Sequence, residues 1–300
     1  MLSRFATYFD EVARRGSIRR ASEYLNITPS AIDRQIQQME ERLGVPLFDR
    51  IPQGMRLTSA GELLLVTVRR WRRELRNVEA QLDELRGLRR GEVSLALVEG
   101  GNEFLTRALR QFSQTYPGIA YKLQVTISET VLDRVLKGEA DIGVTFNPPD
   151  RQDLRIESVL VYQVGAVMRP EHPLAARDSI SLAECADHPL IGPDESNVLR
   201  NLLDRAWARS VGGTPRFMFS ASSITLIKSL VLSGAGIGFL TPIDVAAEVD
   251  EGRLRFVPLA QTQLPLSVLS LITASGRTQS TAASLLLNHL SATMAQQAEP

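Results

Sequence analysis

The chain has 300 residues, 44 % hydrophobic and 23 % charged, with a formal net charge of zero and a single cysteine, Cys185. That length predicts two or three domains, and the ordinary composition excludes a disordered tail, a collagen-like rod or a low-complexity coat. One cysteine excludes an internal disulfide framework and any multi-cysteine zinc site. No window reaches the roughly 18 unbroken apolar residues of a membrane span. Asp10, Glu11 and Arg14 stand where a signal peptide would need its apolar stretch, so the expectation is a soluble, cytoplasmic protein. The zero net charge conceals an asymmetry. Residues 1–91 carry 17 Arg and no Lys against 12 acids, an excess of five positive charges that residues 92–300 cancel. A basic front on an acidic back suits a chain whose one end approaches a polyanion.

The chain opens with a helical pattern, Phe5, Tyr8, Phe9 and Val12 on one face and Gly16 as the stop. A short helix is expected over Ile18–Leu25, with Ser17 as N-cap and Ala21, Tyr24 and Leu25 inward. After Asn26–Ile27, Thr28 is placed to cap a third helix whose first turn starts at Pro29, where a missing N–H costs nothing. It runs to Leu43 and ends at Gly44. Ala31 or Ile32, Ile36 and Met39 face inward, leaving Ser30, Asp33, Arg34 and Gln37 outside. Two short helices, the second presenting Ser, Arg and Gln, read as a helix-turn-helix. Arg and Gln side chains suit the guanine and adenine edges, and Ser30 or Thr28 suits phosphate or base. The same pattern alone also fits an ordinary small helical domain.

The following residues favour the DNA-binding reading. Leu47–Arg50 and Ile51–Thr58 form two short extended pieces around a Pro/Gly turn, a β-wing on which Arg50, Gln53 and Arg56 are candidate backbone or minor-groove contacts. From about Ser59 to Arg89 a long helix repeats Leu64, Val68, Trp71, Leu75, Val78, Leu82 and Leu85 at alternating spacings of four and three. This is an apolar seam that calls for a partner helix along its whole length; it could pack on its own domain, but a coiled-coil dimer is the stronger reading. Paired recognition helices about 34 Å apart would then match one DNA turn.

These motifs resemble the LysR-type transcriptional regulators. From Ser17 to Gly61 the stretch ASEYLNITPSAIDRQIQQMEERLGVPLFDR, followed by MRLTSAG, is similar to that family's winged helix-turn-helix nearly position for position, and the likeness continues through almost the whole chain. Three positions depart from the family's habit: Ser22 where Ala is usual, Asp33 where Ser is usual, and Gln53 where the wing is usually basic. The resemblance implies base contacts for Pro29, Ser30 and Arg34. An acid at Asp33 opposes phosphates unless it accepts from a cytosine amine or pairs with Arg34 or Arg20.

After Gly91 the pattern becomes alternating: strand Val93–Val98, helix Glu103–Thr115 stopped before Pro117, strand Tyr121–Thr126, helix Glu129–Lys137 ended by Gly138, strand Asp141–Phe146. This β-α-β-α-β order predicts a parallel sheet, with ligands outside the carboxyl ends of its strands. A second run follows: strand Val164–Arg169, helix Val198–Arg209, strand Phe217–Phe219, then a helix capped by Ser222 or Ser223 through Leu232. Gly234–Leu240 looks like a dinucleotide fingerprint only superficially, because it follows a helix and enters a strand, the reverse of a pyrophosphate site. Leu264–Thr273 reads as a strand and Thr281–Met294 as a last helix. Crossing strands near residues 158–163 and 264–270 would join two lobes around a hinged cleft.

The fold expectation is therefore α + α/β. It comprises a winged helix-turn-helix domain over 1–58, a long coiled-coil linker helix over 59–90, and a two-lobed α/β effector domain over 91–300, with lobe I about 91–160 and 270–300 and lobe II about 161–269. The resemblance implies that this last part is periplasmic-binding-protein-like. It also implies homodimers or homotetramers on double-stranded promoter DNA, answering to an unidentified small-molecule effector. Cleft-facing candidates are Gly101, Asn102, Ser128, Thr130, Phe146, Ser196, Ser222 and Thr241. Serines and threonines at helix starts suit a carboxylate or phosphate. Glu99 and Glu129, if they point inward, suit an amine or a hydroxyl-rich ligand instead.

No catalytic constellation is legible, so no enzyme, cofactor or metal is expected. His172, His188 and His289 are scattered, and they read as surface histidines. Cys185 reads as a buried inert thiol, and neither a Walker motif nor GxSxG occurs. An enzyme on a two-lobed scaffold lacks its chemistry here. An exported solute-binding protein would share the lobes but would carry a signal peptide in place of residues 1–91.

Overall fold

A computed structural model describes residues 2–85, 91–195, 197–260 and 266–298. The chain forms two compact units, residues 1–88 and 89–300.

In the first unit α1 (Leu2–Arg15), α2 (Ile18–Leu25) and α3 (Pro29–Leu43) are followed by the hairpin β1 (Phe48–Ile51) and β2 (Gly54–Leu57), then by α4 (Ser59–Leu85). Phe5, Phe9, Val12, Ala21, Ile32, Ile36, Leu47, Phe48 and Val68 make one core, in which the Phe9 ring lies 5.3 Å from Phe5 and 5.2 Å from Phe48. Ser17 caps α2 by accepting from Arg20 N. Thr28 is the N-cap of α3 by backbone position, but its side chain makes no capping bond. The hairpin is pinned by Met55 N donating to Gly16 O at 2.7 Å. At Gly54, φ is 132° and a Cβ would fall 2.2 Å from Gly16 O, so only glycine fits the turn.

Tyr24 corrects the sequence expectation. It is 59 % exposed, with the Arg15 guanidinium 4.0 Å from its ring centroid. The inner face of α2 consists of Ala21, Ser22 and Leu25, because the helical turn of 100° per residue carries Tyr24 outward.

The apolar seam of α4 also divides. Val68 is buried and Leu64 half-buried in this unit's own core, and Arg69 and Arg72 each bond Asp10 of α1 at 2.8 Å. The seam therefore does not need a partner helix along its whole length. Trp71, Leu75 and Val78 are 45, 53 and 50 % exposed, while the side chains of Leu82 and Leu85 lie outside the described residues.

The second unit holds two five-stranded sheets. The first contains β3 (Gly91–Leu97), β4 (Ile119–Val125), β5 (Ile142–Phe146), β6 (Leu154–Tyr162) and β12 (Ser267–Ala274), ordered β4-β3-β5-β12-β6. Its first three strands are parallel, joined through α5 (Asn102–Thr115) and α6 (Ser128–Lys137). The returning β12 runs antiparallel to β5 and β6, so the sheet is mixed rather than purely parallel. Buried Val93, Leu95, Ala96 and Leu97 give β3 the near-continuous apolar run of a strand covered on both faces.

The second sheet, ordered β11-β7-β10-β8-β9, contains β7 (Gly165–Met168), β8 (Leu190–Pro193), β9 (Phe217–Ala221), β10 (Ile237–Leu240) and β11 (Arg255–Pro258). It packs with α7 (Leu182–Ala186), α8 (Val198–Ser210), α9 (Ile224–Leu232) and α10 (Ala246–Asp250), and α11 (Thr281–Ala298) returns to the first lobe. The expected strand 264–273 is found as Ser267–Ala274; Leu266 lies just before it, and residues 264 and 265 lie outside the described residues. Ser223, not Ser222, caps α9, accepting from Leu226 N. Gly234, Gly236 and Gly238 lie between α9 and β10 or within β10, the helix-to-strand order read from the sequence.

Two of the three histidines meet in space, and the third stands apart from them. The rings of His172 and His188 meet at 4.6 Å, edge to face, and His289 is half-buried against Phe112 with Nε2 3.0 Å from Ala108 O. Among the described residues no group of three or more His, Cys, Asp or Glu is placed to hold a metal ion. Cys185 is buried, and burial together with the Glu184 charge pushes its thiol up to about 12. No helix of the described residues is long and apolar enough to cross a membrane.

Candidate nucleic-acid interface and ligand cavity

Helix α3 presents one face inward and the other outward. Ile32 and Ile36 are fully buried, while Thr28, Pro29, Ser30, Arg34 and Gln37 are exposed and Asp33 is half-exposed. Ser30 Oγ donates to Thr28 Oγ1 at 3.3 Å, joining two hydroxyls at the helix start. The wing stands beside this face. Arg50 Nη2 donates to Asp33 Oδ1 at 2.5 Å, and Gln37 Nε2 donates to Asp33 Oδ2 at 3.3 Å. The partners of Asp33 are thus Arg50 and Gln37, not Arg34 or Arg20: the wing reaches the helix, whereas Arg34 follows Asp33 by one residue and points to another side. Arg56 lies 3.6 Å from Asp49 on the paired strand, and Gln53 is exposed at the hairpin turn.

In the second unit a cavity of about 340 Å³ lies where the carboxyl ends of β3, β4 and β5 face the starts of α8 and α9. Of the sequence candidates, Ser128, Phe146, Ser222 and Thr241 line it. Gly101, Asn102 and Thr130 do not. Gly101 packs under Val144 and Leu269 within the first lobe, Asn102 is the first residue of α5 and Thr130 the third of α6, and neither borders the cavity. Ser196 lies outside the described residues. Glu129 is exposed and absent from the lining, so of the two acids weighed from sequence only Glu99 points in.

Glu99 crosses from the turn after β3 to the other lobe. Its carboxylate accepts from Ser223 Oγ (3.1 Å), Ile224 N (2.9 Å), Thr225 N (2.9 Å) and Thr225 Oγ1 (2.7 Å), filling the N-terminus of α9. Burial raises its pKa, but the bonds from Thr225, Ile224 and Ser223 outweigh burial and hold it below the usual carboxylate value. A helix start that sequence offered to a ligand anion is occupied by the protein's own acid.

Polar lining residues that the sequence reading missed include Thr126, Asn147, Asn197, Ser267 and the acid Asp244. Asp244 Oδ2 accepts from Thr241 N (2.9 Å) and Thr241 Oγ1 (2.7 Å) in a capping box. The spacing Thr241-Pro242-Ile243-Asp244 spells that box and was the available signal. Burial pushes its carboxyl up to about 6, against the Thr241 bonds and the Lys228 charge and with the Glu99 charge.

A winged helix-turn-helix followed by a long helix and a two-lobed α/β domain with an interlobe cavity defines a class: a ligand-binding domain attached to a DNA reader. Comparison with known proteins agrees. Residues 4–62 match the family model for the bacterial regulatory helix-turn-helix protein, lysR family, and residues 86–295 match that for the LysR substrate binding domain. The chain belongs to the LysR family and is a DNA-binding transcriptional regulator with an effector-binding domain.

Similar curated proteins include the RuBisCO operon transcriptional regulator of Allochromatium vinosum, 28 % identical over 82 % of this chain and 81 % of that protein. Another is the HTH-type transcriptional activator CmpR of Synechocystis sp., 29 % identical over 82 % of this chain and 81 % of its own. Among solved structures, full-length OxyR from Pseudomonas aeruginosa superposes with a TM-score of 0.73 at 17 % identity, covering 98 % of this chain and 94 % of that one. CbnR, a LysR family transcriptional regulator, gives 0.68 at 19 % identity over 99 % of both chains. These structural likenesses establish the fold.

Proposed function

We propose that two copies of the amino-terminal unit read a promoter site together, and that a small molecule in the interlobe cavity modulates this reading. The observation that carries the proposal is the exposed face of α3 with the wing bound beside it through Arg50 and Asp33. Arg34 is assigned a bidentate base contact, with Gln37 beside it. Thr28, Pro29 and Ser30 at the helix start approach backbone or base, and Arg50, Gln53 and Arg56 lie along phosphates or the minor groove. Asp33 aligns Arg50 and Gln37. Trp71, Leu75 and Val78 on α4 supply the dimer seam, continued by Leu82 and Leu85. The assembly is a homodimer or homotetramer in the cytoplasm, where its DNA is. A solved complex of full-length CbnR with its target DNA, and an effector-binding domain of QuiR holding shikimate, support the two halves of this reading at the level of fold.

The cavity is of the size that small ligands take and sits at the strand ends where α/β folds bind them. Its walls come from both lobes, so an occupant bears on their arrangement. The test is selection of genomic fragments by the purified protein followed by footprinting. A protected site of two half-sites about one helical turn apart is expected, and equal retention of all fragments would overturn the proposal.

A further inference from the structure

The cavity's own chemistry narrows its occupant, on the reading that this cavity is the effector site. Its described lining contains no lysine, arginine or histidine, and the charged residues there are both acids, Glu99 and Asp244. Glu99 is saturated by the start of α9. The start of α8 is capped by Asn197, whose Oδ1 accepts from Leu199 N at 2.9 Å. The start of α6 has no side-chain cap, which leaves its first N–H groups without a side-chain acceptor.

Asp244 is unlike Glu99. It is 5 % exposed, Oδ2 takes both bonds from Thr241, and Oδ1 has no hydrogen-bond partner among the described residues. That oxygen borders Gly100: a Cβ there would come 3.0 Å from Oδ1, 2.8 Å from the Phe146 ring and 3.2 Å from Ile224 Cδ1, so only glycine lets the acid sit this close to the turn after β3. A buried carboxylate oxygen without a donor is costly to leave so. A ligand N–H or O–H removes that cost. A ligand carboxylate or phosphate adds like charge beside two acids with no cation in the described lining, since Lys228, whose charge reaches Asp244, is paired with Glu248 at 2.9 Å.

We propose that the cavity accepts a small molecule of zero or positive net charge, an alcohol, amine or amino acid, which donates a hydrogen bond to Asp244 Oδ1, and that it excludes phosphate esters and dicarboxylates. Val98, Phe146, Leu199 and Ile224 give its carbon skeleton an apolar wall, and Ser128 and Asn147 give polar contacts at the rim.

Four four-carbon probes differing in charge test this: butane-1,4-diamine, butane-1,4-diol, 4-aminobutanoate and succinate. Each is added at about 10 mM to the full chain at about pH 7.5, and thermal unfolding is followed. At least one of the first three is expected to raise the melting temperature by about 2–4 °C, with succinate giving none. Asp244→Asn, which puts an amide in place of the acid, is expected to abolish the rise. A rise with succinate, a rise unchanged in Asp244→Asn, or no rise with any of the first three overturns the proposal. Should Asp244→Asn fail to fold, the ranking of the four probes on the unaltered chain decides alone. The same preparation is assayed for selection of genomic DNA. Selective DNA binding with a response to succinate alone overturns the ligand class and leaves the regulator standing, whereas loss of selective DNA binding counts against the regulator and not against the cavity.

Discussion

Arg50 of the wing and Asp33 of α3 are joined through Nη2 and Oδ1 at 2.5 Å, so an acid on the exposed face of the recognition helix holds the wing's basic side chain. This pairing accounts for an acid on a surface that must approach phosphates. On the proposed interface Arg50 would meet DNA carrying a counter-charge, which lowers its pull on any backbone and fixes where its guanidinium lies.

Asp33→Ala is therefore expected to strengthen binding to random duplex DNA and to steepen the salt dependence by about one released counterion. Stability should change little, since an exposed pair of this kind contributes about 0–1 kcal/mol. Fluorescence anisotropy on a scrambled duplex across a salt series measures both quantities. An unchanged slope would mean that Arg50 does not reach phosphate once freed.

Arg34→Ala is expected to cost about 1–3 kcal/mol on the cognate site while leaving scrambled DNA nearly unaffected, the signature of a lost bidentate base contact. Competition between the two duplexes reads the difference. Equal weakening on both would reassign Arg34 to the backbone.

The exposed part of the α4 seam makes a separate prediction. Leu75→Asp with Val78→Asp should dissociate the dimer and leave the amino-terminal unit folded, because neither side chain belongs to its core. Ile36→Ala should instead cost about 2–5 kcal/mol of that unit's stability. Sedimentation separates the cases, and an intact oligomer in the double variant contradicts the seam.

Asp244 predicts a pH dependence of unusual sign. Its folded pKa, about 6, lies above the ordinary 3.8, so the folded state holds a proton that the unfolded state has released. Its contribution to stability is then lost as pH rises from 3.8 through about 6, by about 3 kcal/mol. Glu99 acts oppositely. Its pKa is lowered from 4.5, so its contribution is present above 4.5 and is lost as pH falls through the lower folded value. Between about 4.5 and 6 the Asp244 effect stands alone of the two. Unfolding midpoints of the wild type should fall relative to those of Asp244→Asn across that window, and parallel curves would contradict the assignment.

The reading of the chain succeeded where one element's pattern decides its fate. Ser17, Pro29 and Gly44 mark helix ends by local backbone chemistry, and Ile32 and Ile36 follow the helical period. It failed where a residue's partner lies on another element. Nothing within α3 indicates that Asp33 meets a wing residue 17 positions later, and nothing near Glu99 indicates that its carboxylate closes a helix more than 120 residues away. The strand β8 was missed because Pro193 ends a short run of four residues, Leu190–Pro193, in which no alternation can be read. The seam was legible as a period, but which of its residues serve the unit's own core depends on where α1 packs. Asp244 was within reach through its capping box, although the box reports a turn and not the buried oxygen left without a partner beside the cavity.

The most direct test of the account is to expose the purified full-length chain to a genomic fragment library and footprint what it retains. The account predicts a small set of fragments, each protected over two half-sites about one helical turn apart, with the pattern lost in Arg34→Ala. Retention of all fragments alike, or footprints that Arg34→Ala leaves unchanged, would contradict it.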